Sequence, residues 1–139
     1  MPELPDLSLD AAGPFLRSAR LQVEEATATR VTGTIAAGPD QHTPWGVVHG
    51  GVYTTAVESA CSIGASLAVI DRGEYAVGLA NHTDFLRPFL EGELRVTATP
   101  VQQGRTQQLW QCDIARPDGK LVARGQLRLQ NVPLQDGAR

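Results

Sequence analysis

A lone carboxylate, Glu58, stands in an otherwise uncharged run from Val52 to Ile70, seven residues beyond the last glycine of Gly46-Val47-Val48-His49-Gly50-Gly51. An acid placed just past a glycine-marked helix start is a pairing that can do chemistry on a carbonyl. The first amides of a helix have no intrahelical partner and sit at the positive end of its dipole, so they can polarise a carbonyl oxygen, and the Gly50 N–H is the natural donor. Glycine suits that position because a side chain would keep a ligand away from the backbone. Residues 52–70 are small or apolar all round, the profile of a helix enclosed by protein, so Glu58 is expected to lie out of bulk water. Ser62 falls four residues after Glu58, one turn on along the same face, where its hydroxyl can hold the carboxylate or a water.

The spacing makes a further demand. Gly50 and Glu58 are eight residues apart, roughly 12 Å along one helix at 1.5 Å per residue, too far for one small reacting group to touch both. Two antiparallel helices from two subunits would bring such a donor and such an acid together, which predicts a composite site at a dimer interface. Plainer readings weigh against each feature alone. Glu58 could be a structural acid paired with an arginine, and the glycines could form a turn with no ligand. His42, His49 and His82 fit no compact metal-ligand spacing, so no metal is expected. Arg95, Arg116, Arg124 and Arg128 read as solvated strand or turn residues, and Trp45 and Trp110 as core or interface aromatics.

The elements that must position these residues follow from periodicity and turn chemistry. Residues 1–13 are rich in Pro and Asp and read as a flexible lead-in, followed by a domain over residues 14–132 and a tail over 133–139. A short helix is expected around Phe15 and Leu16. Alternating apolar and β-branched residues over 20–25 and 27–36 predict a hairpin, stopped by Gly38-Pro39-Asp40. A loop over 41–51 leads into the long helix, which Asp71-Arg72-Gly73 ends. Four more strands are expected over 75–85, 93–101, 107–115 and 121–130, with turn residues between them that suggest three successive hairpins and an antiparallel meander. Two strands, one apolar helix and four strands give an α+β fold in which about six antiparallel strands curl around one long central helix, with one helix face or sheet edge still needing a partner.

Composition narrows the classes. The chain of 139 residues, 42% hydrophobic and 19% charged, suits one folded domain, and its net charge of −3 offers no field for nucleic acid. Cys61 and Cys112 lie far apart without a CxxC spacing and read as two buried thiols in a reducing compartment. The first residues lack the basic start and apolar core of a signal peptide, so a cytoplasmic protein is expected. Glu58, several hydroxyls and many alanines make the 52–70 run a poor membrane span, so no membrane partner is expected either.

Several of these residues also carry a resemblance. Pro44-Trp45-Gly46-Val47-Val48-His49-Gly50-Gly51, then Glu58-Ser59 and Ser62, then Phe85-Leu86-Arg87-Pro88, Gly92, and Gly104-Arg105 ahead of Gln108-Leu109-Trp110 resemble the hotdog-fold thioesterases, in particular the phenylacetate-pathway (PaaI-like), 4-hydroxybenzoyl-CoA and 1,4-dihydroxy-2-naphthoyl-CoA group. The resemblance implies hydrolysis of an aromatic or medium-sized acyl-CoA by a carboxylate, here Glu58, acting as nucleophile or general base, with coenzyme A entering as part of the substrate and no other cofactor. It implies a homodimer with composite sites, assembled as a dimer of dimers, a homotetramer. His49 would then hydrogen-bond the thioester region or stiffen the loop, and Ser62 would support the acid. Thr43 departs from the pattern, since similar enzymes often carry Gln or Asn there, and the holding of a lytic water could pass to Gln41, His42 or no side chain. Arg87, Arg105 and Thr106 match positions that hold coenzyme A phosphates, Gly51 lies at the substrate's approach to the helix start, and Asn81, with His82 and Asp84, flanks the acyl pocket. A rival from another class is a non-catalytic acyl-CoA binding or sensing module on the same fold. A hydratase or dehydratase on this architecture would pair a catalytic His with an acid in a different motif.

Overall fold

The computed structural model describes residues 3–134. Helix α1 (Pro14–Ala19) is short and starts on a proline, where a missing amide is harmless. Strands β1 (Leu21–Thr27) and β2 (Arg30–Ala37) form the expected hairpin, with Thr27 opposite Arg30. The long helix α2 runs Gly50–Val69, passes into a single 3-10 turn at Ile70–Arg72, and stops at Gly73, whose φ of +74° suits glycine. Strands β3 (Glu74–Phe85), β4 (Gly92–Gln103), β5 (Gln107–Ala115) and β6 (Leu121–Pro133) complete the chain. The strand limits read from sequence hold to within a few residues. Of the expected tail over 133–139, residues 135–139 lie outside the described residues, as do residues 1 and 2 of the lead-in.

All six strands join one antiparallel sheet in the order β1-β2-β4-β5-β6-β3. The meander therefore covers only β4, β5 and β6, and the expected hairpin between β3 and β4 is a crossover. Its cause lies just past Phe85, where the amides of Leu86 and Arg87 both donate to the Val122 carbonyl and carry the chain across the end of β6, so that β4 settles beside β2. Strand β3 instead pairs with β6, Asn81 opposite Leu127 and Phe85 opposite Ala123, and forms one edge of the sheet. Turn residues mark where a strand stops, but not which neighbour it takes.

The sheet curls around one side of α2. Tyr53, Ala56, Val57, Ala60, Cys61 and Gly64 recur at helical spacing and are buried against it, with Trp110, Ile35, Leu94, Ile114 and Leu127 filling the core. Gly64 is required by this contact: a Cβ there would lie 2.4 Å from Trp110 Cη2. Cys61 and Cys112 meet in the same core, where the hydrogen bond to the Cys112 thiol and burial push the Cys61 thiol upward, so Cys61 stays protonated.

Candidate active site

The opposite face of α2 is left open by its own sheet. Gly51, Thr55, Ser59 and Ser62 are half-buried there, and Glu58 is exposed. This corrects the expectation that Glu58 lies out of bulk water within the chain: the run of small residues packs the helix on one face, and Ser and Thr suit an open face as readily as an enclosed one. Among the described residues Glu58 enters no ion pair, which removes the arginine-paired structural acid as an explanation of the residue. Nor does Ser62 hydrogen-bond it; the shared face is what relates the two.

The loop before α2 is a rigid delivery device. The Thr43 amide donates to Val47 O at 2.7 Å, Gly46 closes the turn with φ +83°, and His42 bridges to Val48. The His49 amide donates to Gln41 O at 2.8 Å, and the Val48 amide to Phe89 O at 2.9 Å. The chain thus enters α2 at a fixed angle. His49 is the N-cap, with its Nδ1 accepting the Gly51 N–H at 2.8 Å. An accepting Nδ1 carries no proton, so the neutral ring bears its hydrogen on Nε2 and offers a donor to a ligand. The Gly51 amide is thus satisfied by the His49 ring and the Val52 amide by His49 O at 3.0 Å, while the Gly50 amide has no hydrogen-bond partner among the described residues.

A hollow of about 300 Å³ lies at this helix start, with Thr43, Gly50, Tyr53, Phe85 and Arg87 among its walls. The Phe85 ring packs against the Gly50 backbone, where a Cβ would come within 2.6 Å of it, and tilts against the Tyr53 ring at 6.1 Å between centroids. The Tyr53 hydroxyl is buried without a partner among the described residues, and burial pushes its phenol up to about 12. The Thr43 hydroxyl accepts the Trp45 amide at 3.2 Å, which leaves its proton free to donate. Arg87 donates to Leu121 O at 2.8 Å, and the Asn81 amide donates to Thr54 O at 3.1 Å, bracing β3 against the helix. Arg105 and Thr106 lie elsewhere, on the β4–β5 turn beside Arg72, far along α2 from the Gly50 mouth.

A second hollow of about 300 Å³ flanks the Glu58 face. Thr55, Ser59 and Ile63 of α2 form one wall, and Leu7, Leu9 and Leu16 close it from the segment ahead of β1. That segment holds a 3-10 turn at Leu9–Ala11 capped by Ser8. Its leucines are functional candidates that the sequence reading passed over; three leucines spaced among Pro and Asp were the available signal.

Residues 46–123, more than half the chain, match the thioesterase superfamily. The chain belongs to the thioesterase superfamily. Its structure matches that of AziG from S. sahachiroi with a TM-score of 0.83 and 40% identity, over 88% of this chain and 98% of that one. A Haemophilus influenzae thioesterase matches with a TM-score of 0.84 and 27% identity over 96% and 92% of the two chains, so this thioesterase superfamily member has the hotdog fold of such enzymes. In sequence it is 46% identical over 89 residues to a provisionally named esterase of Mycobacterium tuberculosis, covering 63% of this chain and 64% of the relative, so the chain spans less than two thirds of that relative's length. The 1,4-dihydroxy-2-naphthoyl-CoA hydrolase of Listeria monocytogenes is 33% identical over 81 residues, 58% of this chain and 65% of the hydrolase.

Proposed function

We propose that this superfamily member is an acyl-CoA thioesterase that hydrolyses an aromatic or medium-sized acyl-CoA to the free acid and coenzyme A. The observation that carries the reading is Glu58, exposed and without an ion-pair partner among the described residues, on the helix face that its own sheet leaves open. An uncompensated acid on such a face is suited to meet a second subunit, and β3 offers an unpaired sheet edge beside it with Leu79 half exposed. Pairing through that edge would set two α2 helices side by side and bring Glu58 of one protomer to the Gly50 mouth of its partner, with a dimer of dimers as the full assembly.

In that site the thioester carbonyl oxygen accepts from the Gly50 N–H and its carbon faces the other protomer's Glu58. As general base, Glu58 takes a proton from water as the oxygen adds to the carbonyl carbon, and the C–S bond then breaks with the proton delivered to the thiolate. As nucleophile, it forms a mixed anhydride and expels the thiolate, and water then hydrolyses the anhydride. Ser62 and the Thr43 hydroxyl orient the water, and His49 Nε2–H supports the developing oxyanion. Gly51 leaves the backbone accessible to the substrate, Asn81 holds β3 at the acyl side, and Arg87, Arg105 and Thr106 receive coenzyme A. The hollow beside Thr55, Ser59 and Ile63 is mostly apolar and of a size for an aryl or medium-length acyl group, and the naphthoyl-CoA named for the Listeria relative is of that class.

A thiol-release assay across short, long and aromatic acyl-CoAs tests the reading. Glu58→Gln is expected to abolish coenzyme A release while leaving ester binding intact. Native-rate hydrolysis by that variant would remove Glu58 from the chemistry, and tight ester binding with no thiol release by the native protein would make the chain a binding module.

A further inference from the structure

A chain of buried polar side chains runs under the β4–β5 turn. Trp110 Nε1 donates to Gln108 Oε1 at 2.8 Å, and Gln108 Nε2 donates both to Ala65 O of α2 and to Asn131 Oδ1, each at 2.9 Å. Asn131 then takes the turn itself. Its Nδ2 donates to Gly104 O at 3.3 Å and Arg105 O at 3.1 Å, and its backbone N–H donates to Thr106 O at 2.9 Å. Three consecutive carbonyls of one turn are thus held by one residue, and Gln108 and Asn131 are only 2% and 6% exposed. A satisfied network of this kind fixes a single geometry, because each buried polar atom is costly to leave without its partner.

What the network fixes faces an open hollow of about 370 Å³ formed by Arg72, Glu74, Arg105, Thr106 and Asn131. Arg72 Nη2 donates to Arg105 O at 3.1 Å and pairs with Glu74 at 2.7 Å. Two guanidiniums and a hydroxyl against one carboxylate leave a net positive site, and guanidinium forks match phosphate oxygens.

We propose that Asn131 is a positioning residue for the nucleotide end of the substrate: with Gln108 it locks the Gly104–Thr106 turn to α2, so that Arg105, Thr106 and Arg72 converge on a phosphate of coenzyme A. The inference rests on the acyl-CoA reading and adds Arg72 and Asn131 to it. The reach is suitable. Arg72 lies fourteen residues beyond Glu58, about 21 Å along the helical path, a span of the order of an extended phosphopantetheine arm.

The test compares an acyl-CoA with the pantetheine thioester of the same acyl group, which lacks the nucleotide phosphates, in the native protein and in Asn131→Ala and Arg72→Ala. The native protein is expected to show a lower KM for the coenzyme A ester. Each substitution is expected to raise that KM about tenfold, the equivalent of one charge-assisted contact, with kcat and both constants for the pantetheine ester unchanged. Arg72 is at the surface, so its variant keeps the core intact if Asn131→Ala does not fold. A native preference for the coenzyme A ester that survives Arg72→Ala and a folded Asn131→Ala would overturn the proposal and leave the acyl-CoA reading standing. Equal KM values for the two esters in the native protein would end both the nucleotide contact and the proposal.

Discussion

At the scale of single residues, the site turns on which backbone amide is free. His49 satisfies the Gly51 amide, so the Gly50 N–H can be removed by itself. Gly50→Pro does this once the half-exposed Phe85 ring turns aside from the added Cβ, with Gly50→Ala, which adds the same Cβ but keeps the N–H, as its control: proline is tolerated at the first helical position, and His49 already has the extended φ −65°, ψ 135° that a residue before proline prefers. The variant is expected to fold and to lose a hundredfold or more in kcat, the usual effect of deleting one oxyanion donor, as thiol release would show. His49→Ala is expected to lower the melting temperature through loss of the cap, about 1 kcal/mol, with Asn at the same position restoring much of it. Tyr53 gives a pH signature. Its phenol is pushed up to about 12 by burial, so the unfolded chain releases this proton near the ordinary value of 10 while the folded chain retains it. Stability from this group is thus present below pH 10 and lost as pH rises from about 10 to 12, and Tyr53→Phe is expected to flatten that loss in melting curves taken across the range. An unchanged pH dependence in the variant would show that the loss arises elsewhere.

At the scale of elements, the helix and strands were legible because each carries a plain local signal. The apolar run with glycines at its start gave α2, and alternation between turn residues gave all six strands. Partner choice was not legible, since it depends on how the segment after Phe85 crosses β6, and no local pattern records that. The open face of α2 was hidden for a similar reason: Thr55, Ser59 and Ser62 are small and polar enough to suit either environment. Gly64 shows the buried face at its tightest. Alanine there is the better helix former by about 1 kcal/mol, yet its methyl would meet the Trp110 ring, so Gly64→Ala is expected to destabilise the protein by about 1–3 kcal/mol in denaturant melts. Strand β3 makes the complementary case at the sheet edge. Leu79 is 49% exposed on it, and Leu79→Asp is expected to drive the assembly toward monomers in light scattering and to abolish activity, since a charged edge resists strand pairing.

At the scale of the whole molecule, one chain holds an acid and an amide mouth that cannot serve the same carbonyl, because about 12 Å of helix separates them. That much was readable from two residue numbers. What the sequence did not disclose were the groups defined only by the folded chain: the leucines that wall the hollow beside Ser59, and the Gln108–Asn131 network under the Arg105 turn. If the working unit is a dimer through α2 and β3, melting temperature should rise with protein concentration, because association stabilises the folded form by mass action. The most direct measurement is subunit complementation. Glu58→Ala and Gly50→Pro proteins, each inactive alone, are mixed under conditions that exchange subunits, and thiol release is followed. A mixed dimer keeps one intact pairing of Glu58 with the opposite Gly50, so activity should return to about a quarter of the native rate for random exchange. A mixture that exchanges subunits and stays inactive would place both groups in one chain's own site and contradict the composite arrangement.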